Sequence, residues 1–136
     1  MSLPRVLFVC LHNAGRSQIA EALFNVYAGG RAVAESAGLD PVKALNIAVV
    51  AAMRESGYDI ASAGPKLITD EMIDAADRVI TMGCADEEGC PAELADEDWS
   101  LPDPAGAPMP RVREIRDEIA RRVRRLLREM EIEPVR

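Results

Sequence analysis

The sequence predicts an α/β fold: one doubly wound domain over residues 1–136, with a four-stranded parallel sheet and helices on both faces. Three observations carry this expectation. The runs RVLFVC (5–10), AVAES (32–36) and RVITM (78–82) have the length and apolar, β-branched content of buried strands. Between them lie segments whose apolar residues recur three and four positions apart. Strands that alternate with helices pair most simply as parallel neighbours joined by helical crossovers.

The elements follow in order. After the first strand and a six-residue polar turn, residues 17–28 (SQIAEALFNVYA) place Ile19, Leu23 and Val26 on one helical stripe, stopped by Gly29-Gly30. Helical pattern returns from about Ala44 to Ser56, with Gly57 in the C′ position that favours glycine. An extended stretch near Lys66–Ile68 leads to Thr69, a suitable N-cap for DEMIDAA, whose acids suit the positive end of a helix. Residues 83–110 hold Gly83, Gly89, Pro91, Pro102, Pro104, Gly106, Pro108 and Pro110 and show no sustained period, so they read as a long loop with one short strand around Trp99. A loop of that length inside a compact domain is usually functional. Pro110 suits the first turn of a last helix, striped by Val112, Ile115, Ile119, Val123, Leu126, Leu127 and Met130.

Composition excludes several classes. Of 136 residues, 49% are hydrophobic and 29% charged, which is a globular balance rather than a disordered one. A net charge of −7 argues against nucleic acid or an anionic membrane as partner. No apolar run approaches the ~20 residues of a membrane span. The opening MSLPRVLFVC lacks the pattern of a signal peptide, and three cysteines are an odd count. A cytoplasmic, reducing compartment is therefore expected, with cysteines serving chemistry. Nothing calls for a second subunit, and a monomer is expected. The charge is unevenly spread: residues 70–103 carry twelve acids and one base, and two of the three cysteines lie among them.

Ligands of doubly wound folds bind at the carboxyl ends of the strands, and the first strand ends at Cys10. From there Cys10, Leu11, His12, Asn13, Ala14, Gly15, Arg16 and Ser17 run into a helix start. Backbone N–H groups of such a turn, with the free donors of a helix N-terminus, cradle a tetrahedral oxyanion. Arg16 adds a planar guanidinium able to hold two of its oxygens. The same positive field favours Cys10 as the thiolate, the attacking form. Asn13 can hold the shape of the turn. His12, the one histidine, is expected to point out of the loop, because a thiolate needs no general base.

With CLHNAGRSQIAEAL, ESAG (35–38), ITMGC (80–84), DPAG (103–106) and RVREIRDEI (111–119), the chain resembles the low-molecular-weight protein tyrosine phosphatase superfamily. The signature of that superfamily is a cysteine, five residues, then Arg-Ser or Arg-Thr. The wording of the loop is similar to its arsenate reductase branch. The resemblance implies that Cys10 is the nucleophile and Arg16 the oxyanion clamp, that Ser17 steadies the thiolate, and that Asp103 is the acid for the leaving oxygen. Arsenate is then the substrate, with phosphate or sulfate as analogues, and no cofactor or metal is called for. Some members bind potassium through Asn, Glu, Ser and Asp. Asn13, Glu21 and Ser36 match three of these, and Lys66 stands where the Asp would be. Its ammonium is expected to replace the cation by pairing with Glu21.

A phosphatase uses one cysteine, so Cys84 and Cys90 distinguish the two activities. Cys84 follows a parallel strand and is expected at the sheet edge that carries Cys10, with Cys90 on a short mobile loop. Two structural thiols or half of a zinc site are the alternatives; no second cysteine pair exists and His12 belongs to the turn. As a reductase the resemblance implies a relay: Cys84 attacks arsenylated Cys10, then Cys90 attacks Cys84. The resulting disulfide goes to thioredoxin or a mycoredoxin-type reductant. Thioredoxin-coupled members often have one more residue between the second and third cysteines. The shorter spacing resembles members that pass arsenate to mycothiol. The neighbouring acids are expected to keep Cys84 and Cys90 protonated at rest and to suit a basic partner surface.

Overall fold

The computed structural model describes residues 2–84 and 86–136; Ala85, in the spacer between Cys84 and Cys90, lies outside the described residues, as does Met1. The chain runs β1 (Arg5–Cys10), α1 (Arg16–Ala28), β2 (Val33–Gly38), α2 (Ile47–Glu55), α3 (Asp70–Ala75), β3 (Arg78–Thr81), β4 (Glu97–Asp98) and α4 (Met109–Glu129). The four strands form one sheet in the order β2-β1-β3-β4, and every pairing is parallel. The α/β class, the four parallel strands and the helices on both faces are as the sequence predicts.

Alternation along β1 separates the two faces. Val6, Phe8 and Cys10 join a large apolar cluster with α1, α2 and α4. Leu7 and Val9 join a smaller one with Met72 and Ile73 of α3. The covering is thus lopsided, three helices against one, because α4 supplies the longest apolar stripe. Its Val112, Ile115, Ile119, Val123, Leu126 and Leu127 are buried, while Met130 is only partly covered.

Several boundaries shift for local reasons. α2 begins at Ile47 rather than near Ala44, because Asn46 is extended and its side chain accepts from the N–H groups of Ala48 and Val49. In α1 the buried face runs through Leu23, Phe24 and Tyr27, and Val26 lies at its margin. β2 covers 33–38 rather than 32–36, in register with the whole of β1, so that Gly38 pairs with Cys10. β3 stops at Thr81. Thr69 caps α3 through the Met72 N–H at 3.2 Å. The long segment after β3 is tied down at Trp99, which is buried with its ring centroid 5.4 Å from that of Phe8. Beside it Asp96 and Asp98 accept from the Val79 N–H and the Thr81 hydroxyl, which extends the short edge strand β4 through side chains.

Candidate active site

The loop between β1 and α1 is held open by turning its carbonyls outward. The carbonyls of Cys10, Leu11 and Ala14 accept from the N–H groups of Leu39, Asp40 and Asn46 at 3.2, 2.8 and 3.0 Å. Among the described residues the N–H groups of Ala14, Gly15, Arg16 and Ser17 have no acceptor, and Gly15 at the N-cap offers no capping side chain. Backbone donors are thus concentrated beside Cys10 at the positive end of α1, the arrangement that binds an oxyanion. The loop lies directly on β2. A Cβ on Gly38 would sit 2.8 Å from the Leu11 carbonyl oxygen and 2.9 Å from the Asn13 nitrogen.

Cys10 is a free, buried thiol at the end of β1. Its Sγ lies 2.8 Å from the Ser17 hydroxyl and accepts the Asn13 N–H at 3.3 Å. Asn13 is buried in the left-handed region, φ 52°, which asparagine tolerates better than most residues. Its Nδ2 donates to Ser17 Oγ at 2.8 Å. Because that bond uses a lone pair of Oγ, the single hydroxyl proton is free to point at the sulfur, which suits an anionic thiolate.

Arg16 is almost wholly buried against the segment that follows β3. Its Nη1 donates to the Leu101 carbonyl at 2.9 Å, and its Nη2 is 3.9 Å from Asp103 Oδ2. Gly83, in the left-handed region at φ 87°, passes so close that a Cβ would be 2.7 Å from Arg16 Nη1. Asp103 is exposed at the mouth, its Oδ1 accepting the Ala105 N–H at 2.9 Å, and Pro104 packs over Gly15. Together Cys10, Arg16, Asp103, His12, Pro104 and Val42 border a cavity of about 260 Å³. His12 borders the same cavity, and its Nδ1 lies 3.1 Å from the carbonyl oxygen of Asp40, outside the loop.

Behind the loop, Glu21 Oε1 takes the Ser36 hydroxyl at 2.9 Å and the Lys66 ammonium at 3.2 Å. The Lys66 N–H donates to Asn13 Oδ1 at 2.8 Å, so the same residue serves the loop through its backbone as well. Among the described residues no group of three His, Cys, Asp or Glu side chains could hold a metal ion.

Cys84 and Cys90 form a disulfide with Cα atoms 5.9 Å apart, so neither is a resting thiol here, and the expected protonation by neighbouring acids has no thiol to act on. Cys84 is fully buried in the cluster of Leu7 and Val9, on the opposite face of the sheet from the cluster that holds Cys10. The expectation of a shared sheet edge is thus met along the strands but not across the faces. As half of a disulfide, Cys84 is an apolar neighbour of α3.

Gln18 was not singled out by the sequence pattern. It is buried, and its Nε2 donates to Asn13 Oδ1 at 3.0 Å and to the Gly64 carbonyl at 3.2 Å. A polar residue within the first helical turn is common, and nothing in its spacing announces a partner 46 positions away.

Comparison with known proteins agrees with this geometry. The chain belongs to the low molecular weight phosphotyrosine protein phosphatase family, whose pattern matches residues 5–135. Within that family it is similar to arsenate reductases. It is 38% identical over 122 residues to the "Putative arsenate reductase" of Halobacterium salinarum, covering 85% of each chain. The thioredoxin-dependent arsenate reductase of Corynebacterium glutamicum superposes with a TM-score of 0.77 at 40% identity over 96% of this chain, which spans 63% of that longer one. An arsenate reductase solved in its oxidised state superposes with a TM-score of 0.82 at 30% identity, covering 93% of this chain and 98% of the other.

Proposed function

We propose that the protein reduces arsenate to arsenite through Cys10, with Cys84 and Cys90 as an internal relay. The observation that carries this reading is that the chain pairs two of its cysteines in a disulfide and keeps the third free in an oxyanion cradle. A phosphatase would use neither Cys84 nor Cys90.

The chemistry closes in three steps. Arsenate enters the cradle of backbone N–H groups and Arg16, and the Cys10 thiolate displaces one arsenic oxygen. Asp103 stands at the mouth to protonate that oxygen as it leaves as water. The Cys84 thiolate then attacks Cys10 Sγ. The S–As bonding pair passes to arsenic, As(V) becomes As(III), arsenite departs, and a Cys10–Cys84 disulfide remains. Finally the Cys90 thiolate attacks Cys84 Sγ, returning Cys10 to thiolate and leaving Cys84–Cys90. An external dithiol of the thioredoxin type restores the pair, which requires a compartment that supplies one. A thioredoxin-dependent relative supports that choice of reductant.

Cys84 reaches Cys10 only if the segment after β3 refolds. In the oxidised arrangement its sulfur is packed on the far face, and two sulfurs bond only when their Cα atoms approach to roughly 4.4–6.8 Å. Gly83 and Gly89 are both at positive φ, a conformation that glycine takes without steric cost.

The test is NADPH consumption with arsenate, thioredoxin and thioredoxin reductase. Cys84→Ser should abolish turnover. Cys90→Ser should release one arsenite per enzyme and stop. Full turnover by Cys90→Ser would exclude the internal relay in favour of a small-thiol route such as mycothiol. Rapid aryl phosphate hydrolysis without arsenate-dependent NADPH use would exclude reductase function altogether.

A further inference from the structure

We propose that Gln18 is a positioning residue that orients the Ser17 hydroxyl toward Cys10 by locking the Asn13 carboxamide; this rests on Cys10 being the nucleophile. Every link in the chain of bonds has a defined direction. Asn13 faces the backbone N–H of Lys66 at 2.8 Å, which can only donate, so the Asn13 atom there is Oδ1 and its Nδ2 faces Ser17. Gln18 faces the carbonyl of Gly64 at 3.2 Å, which can only accept, so the Gln18 atom there is Nε2. Its two hydrogens go to Gly64 and to Asn13 Oδ1, the latter at 3.0 Å. Asn13 Oδ1 is therefore held by two donors from two separate segments, Gln18 in α1 and Lys66 before α3. Nδ2 is left no choice but Ser17 Oγ, and the Ser17 proton none but Cys10 Sγ at 2.8 Å.

The position is costly for a carboxamide. Gln18 is 2% exposed, and burying its polar end costs free energy unless both hydrogens are bonded. Apolar residues of similar length would pack there with less demand, so packing alone does not call for glutamine. What the carboxamide adds is a second donor to Asn13. Without it the Asn13 side chain keeps one anchor, and its amide can rotate and take its hydrogen away from Ser17.

In the oxidised protein Cys10 is the one free cysteine, so alkylation by iodoacetamide reads it alone. Gln18→Met, which keeps volume and loses both donors, should slow alkylation about threefold to tenfold at pH 6, the span expected for one neutral hydrogen bond. The pH midpoint should move upward, and the rate at pH 9 should be unchanged because the thiolate forms there without help. Arsenate turnover should fall in kcat, with KM nearly constant, and recover toward alkaline pH. Gln18→Glu keeps the shape but turns an acceptor toward two acceptors, so its midpoint should move further. It carries the same test should Gln18→Met not fold. A parent-like alkylation profile in either folded variant, with Trp99 fluorescence unchanged, would overturn the proposal. If the parent enzyme is alkylated at pH 6 no faster than free cysteine, the nucleophile reading has failed first. The parent profile alone distinguishes the two failures.

Discussion

Gly38→Ala is the substitution that tests how the cradle is built. Gly38 ends β2 opposite Cys10, and the new methyl would lie 2.8 Å from the Leu11 carbonyl oxygen, 2.9 Å from the Asn13 nitrogen and 3.0 Å from Asn13 Cβ. Ordinary Cβ contacts begin near 3.4 Å, so the loop must retreat by about 0.6 Å. Two of the three neighbours are backbone and cannot swing aside as a side chain can. Nor can β2 yield, since the Gly38 N–H and carbonyl are tied to Lys66 and Ile68 at 2.8 and 3.0 Å. The displacement therefore falls on the N–H groups that face the oxyanion and on the Asn13 bond to Cys10. A misplacement approaching 1 Å at a reacting centre costs on the order of 100-fold, so kcat/KM for arsenate should fall roughly 10- to 100-fold. Overpacking should also lower stability by about 1–3 kcal/mol. The assays are coupled turnover, at a temperature chosen so that Trp99 fluorescence matches that of the folded parent, and protection of Cys10 from alkylation by phosphate. A folded Gly38→Ala enzyme with parent-like protection and turnover would refute the claim that strand β2 sets the position of the loop.

Two further predictions concern charge. The Lys66 ammonium should stand in for a cation at Glu21, so the parent enzyme should show the same activity and Tm in potassium as in sodium, while Lys66→Met should lose roughly 1 kcal/mol as a partly buried pair is broken. A several-fold rise of parent activity with potassium would refute the substitution. On α4, Glu118 accepts from Arg121 and Arg122 at 2.9 and 2.8 Å, and the Arg122 and then the Arg121 hydrogen bonds hold its carboxyl below the usual range. Because its folded value is depressed, this stabilisation is present above the unfolded pKa of the group and is lost as pH falls through the folded one. Glu118→Gln should lower Tm by roughly 2–4 °C at pH 7, the discounted worth of two partly exposed helix pairs, and by nothing once the carboxyl is protonated in both states. A pH-independent difference in thermal scans would show that packing, not charge, is at work.

How far the sequence could be read depended on how local each feature is. The strand–loop–helix run from Cys10 to Ser17, the Thr69 cap and the α4 stripe are written in contiguous residues, and periodicity and capping preference act over a few positions. α2 starts later than the apolar pattern alone predicts, because that pattern begins before Asn46, whereas the cap acts through two specific N–H bonds. The Glu21–Lys66 pair spans 45 positions, so only the family resemblance points to it in the sequence.

The sequence by itself determined the α/β class, the order of elements and a cysteine–arginine loop at a strand end, because those follow from residue spacing and backbone propensity. The tertiary structure decided which carbonyls turn outward, that Arg16 leans on the Leu101 carbonyl 85 positions away, and that Gln18 braces Asn13 against Gly64. It also decided the location of Cys84. The chain leaves the sheet after Thr81 and turns at Gly83, φ 87°, and Cys84 then packs with Leu7, Val9 and α3 on the face away from Cys10, bonded to Cys90. A list of residues cannot specify that face, because beyond the end of a strand it is set by the direction of the turn and by what packs there, not by the period of two that holds within the strand.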